Sequence, residues 1–231
     1  MAQPLVTVVM PSHLKPLLAE AIECVKAQTI SDWKLLIYDA GHWIDDVEST
    51  MHPIYAHYAE CDPRIEWIIT HDPKDFASRV CPVSYRYNQA HREGRITSPY
   101  SFVMPDDDLI APTYMERLTQ ELEKGYDAVY CSQESVNYKD GVTSPRGGLT
   151  ASQTLTGDCV GRVDLLQVMW RTAVLDKLEP PYFPEDPSDS SCRIQDGLFF
   201  NRLCEVTDGI HPINEVLCTH RYNPQSTYSP I

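Results

Sequence analysis

No run of about 18 apolar residues occurs in the chain, so no segment is built to cross a membrane as a helix. Closely spaced cysteines are missing too. The eight cysteines stand at 24, 61, 81, 131, 159, 192, 204 and 218, and no two are closer than 12 residues. That spacing excludes a CxxC pair and a zinc knuckle. Apolar neighbours, as in IECVKA and VYCSQ, predict buried, reduced thiols in a cytoplasmic protein. Positive charge is scarce: 19 Lys and Arg stand against 33 Asp and Glu, for a net charge of −14. Wrapping of nucleic acid, which needs a broad basic surface, is disfavoured. No GxxxxGK[ST] loop is present, which removes a P-loop phosphate site. No GxGxxG follows the first strand, which removes the usual dinucleotide site. The start, MAQPLVTVVMPS, lacks the basic and long apolar regions of a signal peptide and reads as a first strand.

What is present is a core-forming composition, 42% apolar over 231 residues. Strand-like and helix-like segments alternate through the first 130 residues. Val6–Met10 is a short apolar run ending at Pro11, and residues 16–28 carry Leu18, Ala21, Ile22 and Val25 at helical spacing. Lys34–Tyr38 is a second strand, closed by Asp39-Ala40-Gly41, and residues 46–60 read as helix despite Pro53. Arg64–Thr70 is a third strand, 83–94 a helix, and Ser101–Met104 a fourth strand. Thr113 and Glu116 form a capping-box pattern for a helix running to Gly125, and Asp127–Cys131 is a fifth strand. This alternation predicts an α/β fold with a mostly parallel sheet and helices on both faces. Ligands in such sheets bind beyond the carboxyl ends of the strands.

The C-terminal third is expected to be irregular. Residues 139–158, rich in Gly, Ser and Thr, read as a mobile loop. Residues 163–170 read as extended, 171–178 as helical, the proline-rich 180–192 as irregular, 195–206 as helix and 215–222 as a last strand. No Pro-rich linker separates two cores, so a single domain over 1–231 is expected.

Asp106, Asp107 and Asp108 follow the fourth strand directly. Three adjacent anions repel one another, and a hard cation such as Mg2+ or Mn2+ relieves that repulsion, often sharing its ligands with a diphosphate. The alternative is a turn whose carboxylates cap the following helix. Residues 79–95 carry Arg79, Arg86, His91, Arg92 and Arg95 against Glu93. That patch suits a phosphorylated ligand or a short piece of nucleic acid, and a solvated helix face has the same pattern.

Several segments, in order, resemble the family 2 type glycosyltransferases with the GT-A fold. The opening VTVVMPSH and the following LLAEAIECVKAQTISDWKLLIYDAG are similar to that family's nucleotide-binding start. YNQAHREGRITSPYSFVMPDDDLIAP resembles its Arg-Asn helix and DxD strand, QDGLFFNRL its late Glu-Asp motif, and HRYNPQS its closing segment. Four positions depart from the pattern: Ala40, Tyr87, Pro105 and Gln195 stand where the family has Asp, Arg, Asp and Glu. Which of Asp106, Asp107 and Asp108 carries the metal is therefore left open.

The resemblance implies a nucleotide-sugar donor, most often a UDP-sugar, with Mn2+ or Mg2+, and inversion by direct displacement. Residues 1–130 would be the nucleotide-sugar half and 131–231 the acceptor half. Pro11, Ser12 and His13 would border the base, and Asp39 would bond the pyrimidine. Arg79, Arg86, Asn88, Asp106, Asp107 and Arg221 would hold the rest of the donor. Asp106, Asp107, Asp108 and His220 would serve the metal, and Asp196 would be the general base. The expected acceptor is a glycan hydroxyl. Two alternatives stay open. One is a hydroxymethylated pyrimidine of DNA, with Tyr182 and Phe183 against an unstacked base. The other is a non-catalytic sugar-nucleotide-binding module.

Overall fold

The computed structural model describes residues 3–12, 17–39, 56–69, 82–137, 140–142, 148–183 and 194–222. Its strands are β1 (Val6–Ser12), β2 (Trp33–Asp39), β3 (Ile65–Ile69), β4 (Tyr100–Val103), β5 (Leu109–Ile110), β6 (Ala128–Asn137), β7 (Val168–Arg171) and β8 (Ile210–Tyr222). Its helices are α1 (Leu18–Lys26), α2 (Pro82–Arg92), α3 (Tyr114–Glu123) and α4 (Gln195–Val206). Residues 56–61 are also helical, the described part of the helix expected at 46–60.

The strands form one sheet in the order β3-β2-β1-β4-β7-β6-β8-β5. β1 pairs parallel with β2 and β4, β2 with β3, and β6 with β8. Only β7 and β5 run the other way among these strands. All seven residues of β1 are buried, as they must be in a central strand covered on both faces. α1 buries Leu18, Ala21, Ile22 and Val25, the face that the helical spacing predicts.

Four local expectations need correction. The Thr113–Glu116 capping box does not form, because Thr113 makes no side-chain cap. Instead the Met115 N–H donates to Gln28 Oε1 at 2.9 Å, and Glu116 accepts from Thr29 Oγ1 at 2.7 Å. A partner 87 residues away satisfies the orphan amide. Residues 163–170 are not one extended run. Asp164 caps a 3₁₀ turn, Leu165–Gln167, and Gln167 closes a capping box before β7 begins. Residues 148–158 of the supposed mobile loop are tied to the sheet. Leu149 exchanges two backbone hydrogen bonds with Gln133, and Leu155 exchanges two with Ile210. Finally, Cys61 is exposed, while Cys131, Cys159 and Cys218 are buried, and all the described cysteines are free.

Candidate functional site

Parallel pairing brings the carboxyl ends of β1, β2 and β4 to one edge of the sheet. Register places Ser12 beside Asp39. Ser12 Oγ donates to Asp106 Oδ2 at 3.0 Å, which joins the end of β1 to the turn after β4. Asp39 is 1% exposed, and the Trp67 indole donates to its Oδ2 at 3.1 Å, so a neighbouring strand orients that carboxylate. Pro11 lies in the same buried strand. Thus Pro11, Ser12, Asp39 and the aspartate turn form one constellation. His13 and Arg79 lie outside the described residues.

The three aspartates are not equivalent. β5 pairs antiparallel with β8, Leu109 against Thr219 and Ile110 against Cys218. Carried onward, that register sets Asp108 opposite His220 and Asp107 opposite Arg221. Asp108, 2% exposed, accepts from the Arg221 backbone N–H at 2.8 Å and lies 3.2 Å from His220 Nδ1. Asp107 is 7% exposed, and its backbone carbonyl accepts from Arg221 Nε. Burial would lower the His220 pKa, but the hydrogen bond to Asp108 and the surrounding carboxylates outweigh it and raise it to about 9. Burial pushes the Asp108 carboxyl pKa up as well, with the His220 hydrogen bond and charge opposing that rise. Asp108 and His220, the two residues expected to serve the metal together with Asp106 and Asp107, thus contact each other beside the turn.

Two other expected donor ligands have structural occupations. The Asn88 side chain donates to the Phe183 carbonyl at 2.9 Å and accepts from the Tyr182 and Phe183 N–H groups. Arg86 is fully buried, with Nη1 donating to Gln89 Oε1 at 2.8 Å. Within the described part of the basic patch, several of the charged side chains are engaged. Arg95 is paired with Glu66 and Glu93, and His91 meets the Tyr182 ring edge-on. Tyr182 and Phe183 are buried, and Phe183 stacks on Phe199 with ring centroids 4.2 Å apart.

That aromatic contact seats α4, which carries Asp196 in its first turn. Asp196 is half-buried, and its Oδ1 accepts from the Gly197 N–H at 2.8 Å. Burial, with the Asp164 carboxylate adding to it, pushes the Asp196 pKa up to about 7. Sequence reasoning missed Asp164. Its signal was the Asp-x-x-Gln pattern at 164–167, read then as strand. Gly197 lets α4 approach the preceding segment closely. A Cβ there would lie 2.6 Å from Val160 Cα. Gly197→Ala is expected to lower stability by about 1–3 kcal/mol, read as a lower urea midpoint with an unchanged slope.

No family model and no curated protein matches the sequence. Solved structures do. S. aureus TarS 1-349 in complex with UDP-GlcNAc superposes with a TM-score of 0.70 at 14% identity, over 99% of this chain and 62% of that one. The mannosyltransferase PcManGT from Pyrobaculum calidifontis, in complex with GDP-Man and Mn2+, gives a TM-score of 0.64 at 13% identity, over 98% and 59%. The chain has the GT-A glycosyltransferase fold. It spans about three-fifths of the length of these structures.

On the GT-A sheet, the aspartate turn offers carboxylate oxygens, the donor type that hard divalent cations take. Among the described residues no group of three or more His, Cys, Asp or Glu side chains is arranged to hold a metal ion by itself. One or two carboxylates completed by substrate phosphates and water would fit Mg2+ or Mn2+. Asp106 is bonded to Ser12, and Asp108 to β8.

Proposed function

We propose that this chain is a nucleotide-sugar-dependent glycosyltransferase that moves a sugar, with inversion, to a glycan hydroxyl. The observation that carries the reading is the convergence of Ser12, Asp39 and Asp106 at the carboxyl edge of the sheet. The donor is a UDP-sugar, with its base beside Pro11, Ser12 and Asp39 and its diphosphate at the aspartate turn. Mn2+ or Mg2+, held by Asp106 and Asp107, would supply electrostatic stabilisation of the leaving diphosphate.

Asp196 is the general base. Its carboxylate takes the acceptor hydroxyl proton as the oxygen bonds to the anomeric carbon and the bond to the diphosphate breaks. A carboxyl pKa raised to about 7 by burial is matched to that task. A glycan acceptor is favoured over a DNA base because several of the residues that would serve DNA are otherwise engaged. Arg86, Tyr182 and Phe183 are buried, and Arg95 is ion-paired.

The test is a thermal-shift panel of nucleotide-sugars with and without Mn2+. A UDP-sugar is expected to raise the melting temperature when the metal is present, by binding the native state. No shift with any nucleotide-sugar would overturn the donor reading.

A further inference from the structure

Arg221 joins segments that lie far apart in sequence. Its backbone N–H donates to Asp108 Oδ1 at 2.8 Å, and its Nε donates to the Asp107 carbonyl. Its Nη1 donates to Glu20 Oε2 at 2.5 Å, and its Nη2 to the Leu17 carbonyl at 3.4 Å. Leu17 and Glu20 belong to the start of α1, the helix that follows β1. The Arg221 side chain is 6% exposed, so its contacts with the backbone are made away from bulk water, while its Glu20 partner is 62% exposed.

We infer that Arg221 is a positioning residue that sets the aspartate turn against the start of α1. It acts on the donor through that turn and does not touch the diphosphate. A guanidinium presents its donors in a rigid fork, so three acceptors on two segments fix their relative placement. The Asp107 carbonyl and the Asp108 carboxylate are held on successive residues, which fixes the peptide between them. The cation also offsets the mutual repulsion of the three carboxylates, which would otherwise open the turn. The consequence for the donor rests on the proposed function. The clamp itself does not.

Arg221→Lys keeps the charge but replaces the fork with one point donor, which cannot serve all three acceptors. Hydrogen exchange of the ligand-free variant is expected to quicken at least about 10-fold at residues 106–109, with α3 unchanged. Its KM for a UDP-sugar with Mn2+ should rise at least about 10-fold, while kcat at saturating donor stays within about threefold. Unchanged exchange in the turn would overturn the inference. So would a fall in kcat with KM unchanged, the mark of a group that stabilises the leaving diphosphate directly. If the wild type binds no nucleotide-sugar, the proposed function falls, and the exchange experiment still decides the clamp. Glu20→Ala removes one exposed partner and tests the same point should Arg221→Lys fold poorly. It should speed exchange in the turn in the same direction, and no change would count against the clamp.

Discussion

Asp196→Asn is expected to lower transfer by at least about 10²-fold, in the range of general-base loss, while a UDP-sugar with Mn2+ still stabilises the protein. The amide has the size of the carboxyl group but cannot take the hydroxyl proton. In the wild type the same group should set the acid limb of the rate profile. As the proposed base, Asp196 would work only when deprotonated, so transfer should fall as pH drops through about 7. Asp164→Asn keeps a competent capping side chain but removes the charge that helps raise Asp196. The acid limb should then move to lower pH.

Stability supplies an independent signature. The folded pKa of Asp196 lies above its ordinary value of 3.8. Its ionisation therefore opposes folding as pH rises from that value towards 7. Near neutrality the Asn variant should be much less active and no less stable. Near-normal transfer by Asp196→Asn would remove the residue from the base role.

The second large effect separates two neighbouring aspartates. Asp108→Ala removes the partner of both His220 and the Arg221 N–H. It should cost about 3 kcal/mol, the low end for a broken buried pair because His220 keeps some contact with water. Asp107→Ala should abolish the metal-dependent part of donor binding, and Asp108→Ala should have the larger effect on stability. Urea melts and donor titrations with and without Mn2+ measure both. If the two variants behaved alike, the division between a metal-facing and a structural aspartate would be wrong.

The contrast shows what sequence could carry. Buried parallel strands read as short apolar runs, so β1, β2 and β4 were visible, and with them the common edge that collects Ser12, Asp39 and Asp106. Asp196 stood out only through the resemblance of QDGLFFNRL to a family motif, since an acid opening a helix by itself reads as a local cap. Partners across the fold were not visible. Nothing near Thr113 shows that Gln28 will cap α3, because local propensity is silent about an acceptor 87 residues away. Arg86 has the composition of a phosphate ligand, but its position on α2 turns it inward. The two-residue strand β5 is too short for any periodicity, yet its register with β8 decides which aspartate faces His220.

That short pairing also orders events in folding. Leu109 and Thr219 must meet across more than a hundred residues of chain, a closure of high contact order. The ladder of β1, β2 and β4 can assemble from the first hundred residues, but the turn that follows it is shaped only when β8 docks. Any partly folded state without β8 would thus leave the turn unshaped, short of a competent donor site. Donor affinity would arrive with the last strand, so the ligand would stabilise the finished protein without templating its assembly.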